Sequence, residues 1–330
     1  MKRKIYRALM LGTTCLALYG CAGNETEDVV NPIFEPQTEM SNSQTNEQNA
    51  GNQDAQTQNT AVGSATPSDD GRVSICDETS TLDYTKDYTE EIKVAVERAV
   101  ASATSFDDEF KKMGEIQDHI NSRRDEDQTQ VEMNMASFLF FQVWDAELNN
   151  LWNRFSESVD AQTKERVLAD QRNWNAMKEE AALEALGPQN EGGSIYPLLY
   201  NSYMEESTKA RCYFLAKEIA AAKGASFTMP PKPIAGSYID NEGTDSIYSS
   251  LSITAGWESG YNAKVSLYRT GEIEGSAEEG SAGTLNFTSY DDSVKGIIHY
   301  SWDDATFEVT ETSDSAIVSA GDVYEFPLVF

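Results

Sequence analysis

Apolar residues recur at intervals of three and four across residues 82–222, which is the spacing of a buried helix face. In the longest of these stretches Trp144 and Leu148 lie on one side of the chain. Asp160 is placed to cap the next helix, and Gly187 is placed to end it. Short connections between long helices indicate an antiparallel bundle. The predicted helices span residues 90–103, 107–121, 128–155, 160–187 and 195–222.

The pattern changes at the proline-rich run 229–233, beyond which apolar and polar residues alternate in short stretches. Within residues 261–267 every second residue is apolar, so one face of this strand is buried and the other is wet. We predict α and β structure in separate domains, with a helical bundle (76–228) before a small antiparallel β-barrel or sandwich (233–330). The predicted strands span residues 246–254, 261–269, 283–290, 294–302, 306–312 and 323–330.

The N-terminus has a basic start, residues 1–7, followed by an apolar stretch of about a dozen residues. This pattern predicts a secretory signal peptide over residues 1–20, too short to span a bilayer as a helix. Residues 18–21 resemble the bacterial lipobox, in which the cysteine is lipidated after cleavage. We therefore predict lipidation of Cys21 and attachment to the bacterial cell membrane, facing outside the cytoplasm. The alternative is ordinary cleavage near Gly23, which would release a secreted protein.

Residues 21–75 form a polar segment that is rich in Asn, Gln, Thr and Ser. From residue 22 onward this segment holds nine acidic residues and one basic residue, with few apolar ones. Such a composition cannot bury enough surface to offset the entropy of the chain. We predict a disordered tether that holds the folded part away from the membrane.

The whole chain carries 55 acidic and 25 basic residues, for a formal net charge of −30. Binding to nucleic acid needs clustered Lys and Arg, so the composition excludes that class. With His119 and His299 as the two histidines, we predict neither a metal site nor a cofactor. Outside the cytoplasm Cys76 and Cys212 either form a disulfide or remain two free thiols.

Several short motifs of the helical region follow one another over about 90 residues, and residues 129–217 resemble the lysozyme-inhibitor LprI-like N-terminal domain family. This family is a small helical module of bacterial envelope proteins, and the resemblance implies a surface lipoprotein that inhibits lysozyme. Many members carry disulfide-forming cysteines where this chain has Ala182 and residues 203–207. The residues that match the family motifs are Trp144, Asp145, Leu148, Asn149, Gln171, Trp174, Lys178, Glu179, Gly193, Ser194, Thr208 and Arg211.

The same motif residues also have a structural interpretation. The tryptophans are expected in the helical core, and Gly193 with Ser194 is expected to form a turn and a helix N-cap. The charged residues are expected to form ion pairs between helices at the surface, each contributing about 0–1 kcal/mol. These charged residues are Glu147, Lys178, Glu179 and Arg211.

The sequence contains no serine-hydrolase elbow, no zinc-protease motif and no phosphate loop, and we predict a protein that is not an enzyme. The leading hypothesis is a surface-anchored lipoprotein that binds an envelope-directed protein, with lysozyme as the candidate partner. The acidic charge favours this hypothesis because host lysozymes are typically basic. A protruding loop at residues 272–281 is a candidate contact. The alternatives are a cell-wall binding or scaffold lipoprotein, and a glycan-acting envelope enzyme.

Overall fold

The computed structural model describes residues 71–242, 244, 247–313 and 316–330. The predicted signal peptide, the lipidation site Cys21 and the tether up to residue 70 lie outside these residues, so the expectations for them remain predictions. The described chain enters the helical region through a 3-10 turn, Ile75–Asp77. Ser74 caps this turn, and Ile75 is fully buried.

Five long helices and one short helix occupy the first part of the described chain, and the five long ones begin and end within three residues of the predicted positions. The caps explain this agreement. Asp160 Oδ1 accepts a hydrogen bond from the Thr163 amide at 2.9 Å, and Gly187 ends the same helix with a φ of 75°. No helix among the described residues is both long and apolar enough to cross a membrane. The helices are α1 (Thr89–Ser102), α2 (Phe106–Ser122), α3 (Gln130–Ser158), α4 (Ala161–Leu186), α5 (Gln189–Gly192) and α6 (Tyr196–Ala222).

Helices α3 and α6 form the central pair of the bundle. Near the start of both helices the Asn201 side chain donates a hydrogen bond to the Asn134 carbonyl at 3.0 Å. Further along both helices the Cys212 thiol lies 3.6 Å from the Trp144 carbonyl. The central pair therefore runs in the same direction. This agrees with the predicted antiparallel arrangement of successive long helices, because α4 lies between α3 and α6 in the chain and α6 is antiparallel to α4.

Nine antiparallel strands follow the helices within the described residues. Each strand up to β8 pairs with the next one in the chain. The last segment is divided at Pro327, so that β8 pairs with β7 and β9 pairs with β1, which gives a nearly closed barrel. The strands are β1 (Gly236–Asp240), β2 (Ser249–Ala255), β3 (Tyr261–Leu267), β4 (Gly271–Glu279), β5 (Thr284–Ser289), β6 (Val294–Tyr300), β7 (Ala305–Thr312), β8 (Val323–Phe326) and β9 (Leu328–Val329).

Strands β1 and β4 are absent from the strands predicted by the sequence. The segment 272–281, which was expected to be a protruding loop, lies mostly within β4. The inward positions of β4 are Ile273, Gly275 and Ala277. Because two of these three residues are small, the sequence of β4 shows no clear alternation of apolar and polar residues. A glycine is needed in this strand because a Cβ at Gly275 would lie 2.7 Å from the ring of Phe287.

The barrel interior is filled by side chains, as in other small barrels. The rings of Phe287 on β5 and Phe307 on β7 pack edge to face, with centroids 5.3 Å apart. The main contributors to this core are Tyr238, Leu251, Ile253, Val265, Leu267, Leu285, Phe287, Ile298, Phe307, Val309 and Phe326.

Helix α4 packs against the outer face of strands β1 and β2. Ser237 and Ser252 are register partners on these strands, and both are buried although they point away from the barrel core. Their small side chains let the helix approach closely. At the same junction the Trp174 ring stacks on the ring of Phe330, with centroids 5.6 Å apart and planes at 16°. The helices and the barrel therefore share one apolar interface.

We expect Trp174→Ala to lower the free energy of unfolding by about 3–5 kcal/mol, because it leaves a cavity between α4 and the barrel. Chemical denaturation followed by far-UV circular dichroism measures the change. Trp257→Ala is the matched control, since Trp257 is fully exposed and should change the stability by less than about 0.5 kcal/mol. Equal effects of the two substitutions would contradict the packing described here.

Candidate functional site

The aromatic and aliphatic motif residues lie in the core of the helical region, as expected. Trp144 and Leu148 of α3 and Trp174 of α4 are buried. Thr208 of α6 is fully buried as well. None of these side chains offers a contact surface to a partner protein, so their place in the motif is explained by packing.

Arg211 forms the expected ion pair between helices, with Asp170 of α4, but its guanidinium is buried instead of lying at the surface. Its Nε donates to Gln171 Oε1 at 2.6 Å, and its Nη2 lies 2.5 Å from Asp170 Oδ2. The guanidinium also lies over the Phe214 ring, 4.4 Å from the centroid. Burial forces this charge to have partners, because an unpaired buried charge would be strongly destabilising. The cluster therefore fixes α6 against α4.

A second polar cluster joins α3 to α4. Asn149 Nδ2 donates to the Asp145 carbonyl at 2.9 Å and to its carboxylate at 3.3 Å. Burial raises the pKa of Asp145 to about 6, although the positive charge of Lys178 acts in the opposite direction. Burial also lowers the pKa of Lys178, against the charges of Glu179 and Asp145. Lys178 is thus a buried residue of α4 whose charge acts on Asp145 of α3.

Glu147 lies inside the bundle and is fully buried, which also corrects the expectation of a surface ion pair. Arg154 binds both oxygens of Glu109, at 3.0 and 2.5 Å, and reaches Glu147 at 3.2 Å. Burial and the hydrogen bond with Glu109 raise the pKa of Glu147 well above its usual value. A carboxyl with a raised pKa is a candidate general acid. The burial of Glu147, however, puts it out of reach of a glycan chain, and its role here is structural.

The glycine–serine motif forms a turn before α6, but Ser194 does not cap this helix. The residue at the N-cap position is Ile195, and no side chain caps α6. Gly193 has a φ of 62°, a conformation that favours glycine. The Ser194 carbonyl instead accepts a hydrogen bond from Asn134 Nδ2 at 3.0 Å, which ties the turn to α3.

Glu179 makes a solvent-exposed polar contact between α4 and α6. The Tyr200 hydroxyl donates to its carboxylate, with oxygen–oxygen distances of 2.7 and 2.8 Å. Burial and this carboxylate raise the pKa of Tyr200. The contact is a hydrogen bond rather than the ion pair that the sequence suggested.

The disulfide between Cys76 and Cys212 is not formed in the structure, where both residues are free thiols. Cys212 is buried beside Trp144 in the central helix pair, while Cys76 is exposed in the first turn. The two side chains thus belong to different layers of the bundle. Among the residues that the structure describes, no group of three or more His, Cys, Asp or Glu side chains is arranged to hold a metal ion.

The most prominent surface feature is the turn between β2 and β3. Trp257 at the tip of this turn is 100% exposed, which is unusual for the largest apolar side chain. The turn is closed by a hydrogen bond from the Gly256 amide to the Gly260 carbonyl at 2.9 Å. A Cβ at Gly256 would lie 2.4 Å from the Ser259 carbonyl oxygen, so a glycine is needed to make this turn. The backbone therefore holds the indole outside the barrel.

Acidic residues stand next to this tryptophan. Glu258 follows it in the turn. Trp257 also lines a shallow depression of about 380 Å³, together with Glu278 and Glu279 at the end of β4. We call Trp257, Glu258, Glu278 and Glu279 the hairpin tip. An exposed tryptophan surrounded by charge of one sign is typical of a binding surface, because aromatic residues supply most of the binding energy and charges guide the encounter. The signal for it was present in the sequence as a large apolar residue inside a turn flanked by glycines.

The fold and these sites define a helical scaffold with buried motif residues, joined to a barrel that exposes a tryptophan beside acidic residues. A model of the lysozyme inhibitor LprI family matches residues 121–215, which run from the end of α2 through most of α6. The helical region is thus similar to the LprI lysozyme inhibitor domain over these residues, in agreement with the resemblance noted above. Comparisons with curated proteins and with solved structures gave no match.

Asp145 should make the stability depend on pH. Its raised pKa means that the folded state binds more protons than the unfolded state between about pH 4 and pH 6, so the free energy of unfolding falls as the pH rises through this range. Asp145→Asn should remove this loss. We expect the variant to gain about 1–3 kcal/mol over the wild type between pH 4 and pH 7.

Urea denaturation across this pH range measures the effect of Asp145→Asn. Asp118→Asn is the matched control because Asp118 lies on the exposed face of α2. A difference between Asp145→Asn and the wild type that is the same at every pH would contradict a raised pKa at Asp145.

Proposed function

We propose that this protein is a non-enzymatic lipoprotein that is anchored to the bacterial cell membrane and faces outside the cytoplasm. In this proposal it binds a basic envelope-directed protein and inhibits lysozyme. The LprI domain in residues 121–215 supports a lysozyme-inhibitor-like function. The LprI family is an inhibitor family, which is consistent with a non-enzymatic protein. The anchoring rests on the sequence of the N-terminal segment, with Cys21 as the lipidated residue.

The observation that carries the choice of contact surface is the exposed Trp257 in its acidic setting. A fully exposed indole gains apolar contact area when a partner covers it, and it needs little reorganisation beforehand. Residues 225–330 hold 17 acidic and four basic residues, so the barrel attracts a basic protein from a distance. Two of these bases, Lys264 and Lys295, are paired with carboxylates. The field around the hairpin tip is therefore negative.

The motif residues of the LprI domain are less suited to a direct contact. Arg211 and Lys178 are each 8% exposed, and Glu147 is fully buried. We therefore assign the helical domain the role of a rigid support and the hairpin tip the role of the contact.

Lysozyme inhibition by the full-length protein tests the proposal. We expect binding of a basic lysozyme and a loss of its activity on cell walls, with affinity falling as salt is raised because surface charges are screened. Trp257→Ala should weaken binding at least about tenfold, as expected for a central aromatic contact. The double variant Glu278→Gln/Glu279→Gln should slow association and reduce the salt dependence.

Tyr268→Ala is the matched control for the tryptophan. Tyr268 is also an exposed aromatic residue of the barrel, but it lies in the turn between β3 and β4 at the opposite end of β3. This substitution should leave binding unchanged. Full activity of lysozyme at micromolar protein and low salt would overturn the proposed function, whereas binding that survives Trp257→Ala would overturn only the assigned surface.

A further inference from the structure

A cavity of about 740 Å³ lies between the helices and the barrel, and none of the four hairpin-tip residues lines it. Helices α4 and α6, the proline-rich run 229–233 and strands β1 and β2 form its walls. Its surface is mostly apolar, with Leu199, Tyr213 and Ile253 among the lining residues. Volume and lining fall within the range typical of pockets for small molecules.

Lys232 supplies a positive charge to this cavity. Its ammonium lies over two aromatic faces, 5.2 Å from the Tyr238 ring centroid and 5.1 Å from the Trp302 ring centroid. Burial lowers the pKa of Lys232 to about 8, so the side chain is still mostly charged at neutral pH. No carboxylate of the described residues lies within ion-pair distance of this ammonium. A desolvated cation without a carboxylate partner is complementary to an anion.

The other charged groups of the cavity compensate each other. Glu206 and Lys209 both line it, and they form an ion pair at 3.8 Å. Lys232 is thus the charge that a ligand would meet uncompensated among the described lining residues. The acidic surface of the surrounding barrel disfavours ligands with several negative charges. A single negative charge on an apolar body fits both conditions.

The position of the Lys232 side chain is supported by its neighbours. Trp302 Nε1 donates to the Pro230 carbonyl at 2.7 Å, which holds the proline-rich run beside the barrel. Gly236 leaves room for the ammonium, since a Cβ there would lie 3.0 Å from Lys232 Nζ. The lysine therefore stays at the cavity instead of extending into solvent.

We propose that this cavity binds a small amphiphilic carboxylate, with the carboxylate at Lys232 and the apolar body against the aliphatic and aromatic walls. This inference is independent of lysozyme binding, because the residues that carry it lie outside the hairpin tip. The binding should depend on the charge of the ligand head and on the amine of Lys232, and both can be varied.

Titration of the full-length protein with dodecanoate, dodecanol and dodecyltrimethylammonium tests the charge preference, with the two ionic ligands below their micelle concentrations and the alcohol below its solubility limit. Isothermal calorimetry should show one dodecanoate site, with binding at least about tenfold tighter than that of the alcohol and of the cation. An aromatic acid, 3-phenylpropanoate, shows whether the body must be aliphatic. Dodecanoate that binds no better than dodecanol would overturn the proposal.

The variant Lys232→Met should reduce dodecanoate affinity to that of dodecanol, whereas Lys223→Met should not. Lys223 is a suitable control because it is an exposed lysine just beyond α6. A second measurement on the wild type avoids any dependence on folding of the variant. Dodecanoate, but not dodecanol, should slow acetylation of the Lys232 amine several-fold by mass spectrometry while leaving Lys223 unaffected. Equal labelling of Lys232 with and without dodecanoate would overturn the proposal.

Discussion

Helix α4 is buried on two sides, and most of the described structure depends on this one constraint. On one side it meets α3 and α6 through the polar clusters around Asp145 and Arg211, and on the other side it meets the barrel. The remaining side of α4 is charged and exposed, with Lys164, Glu165 and Arg172 among the exposed residues. The side toward the bundle buries Lys178, and the side toward the barrel meets the small outward residues Ser237 and Ser252 of β1 and β2.

The same constraint explains which parts of the fold could be predicted from sequence. The signals that end a helix are local, because a cap such as Asp160 and a glycine with positive φ such as Gly187 act within one turn. Both helix ends were predicted correctly. Burial of a charged residue is not local. Glu147 was expected at the surface, because its neighbours in sequence say nothing about Glu109 and Arg154, which reach it from other turns and another helix. Hydrophobic periodicity identifies an apolar face but cannot identify a helix that is covered twice.

The barrel shows the corresponding limit for strands. Strand β4 was not predicted because its inward residues are mostly small. The ring of Phe287 on the neighbouring strand fills the space next to Gly275, so a glycine stands where an alternating pattern would have a large apolar residue. The hairpin tip was missed for a different reason. Trp257 belongs to no strand, and although glycines flank its turn in the sequence, its complete exposure is what distinguishes it from a core tryptophan such as Trp174.

The division between buried and exposed features also bears on how the LprI match relates to function. The matched residues 121–215 end before the barrel begins, and the motif residues within them are engaged in packing, in internal hydrogen bonds or in the turn before α6. Such a match defines a scaffold, because substitutions at these positions would disturb the folding of the helices first. Under the proposed function, contact with the partner is then made by residues that the match does not include or that it leaves at the surface. The largest exposed apolar side chain, Trp257, lies on the barrel, outside the matched range. The barrel also has the larger excess of acidic over basic residues in proportion to its charged residues, with 17 acidic and four basic residues in 225–330. A helical scaffold joined to this barrel through α4 holds the hairpin tip in a fixed position, which reduces the ordering cost when a partner binds.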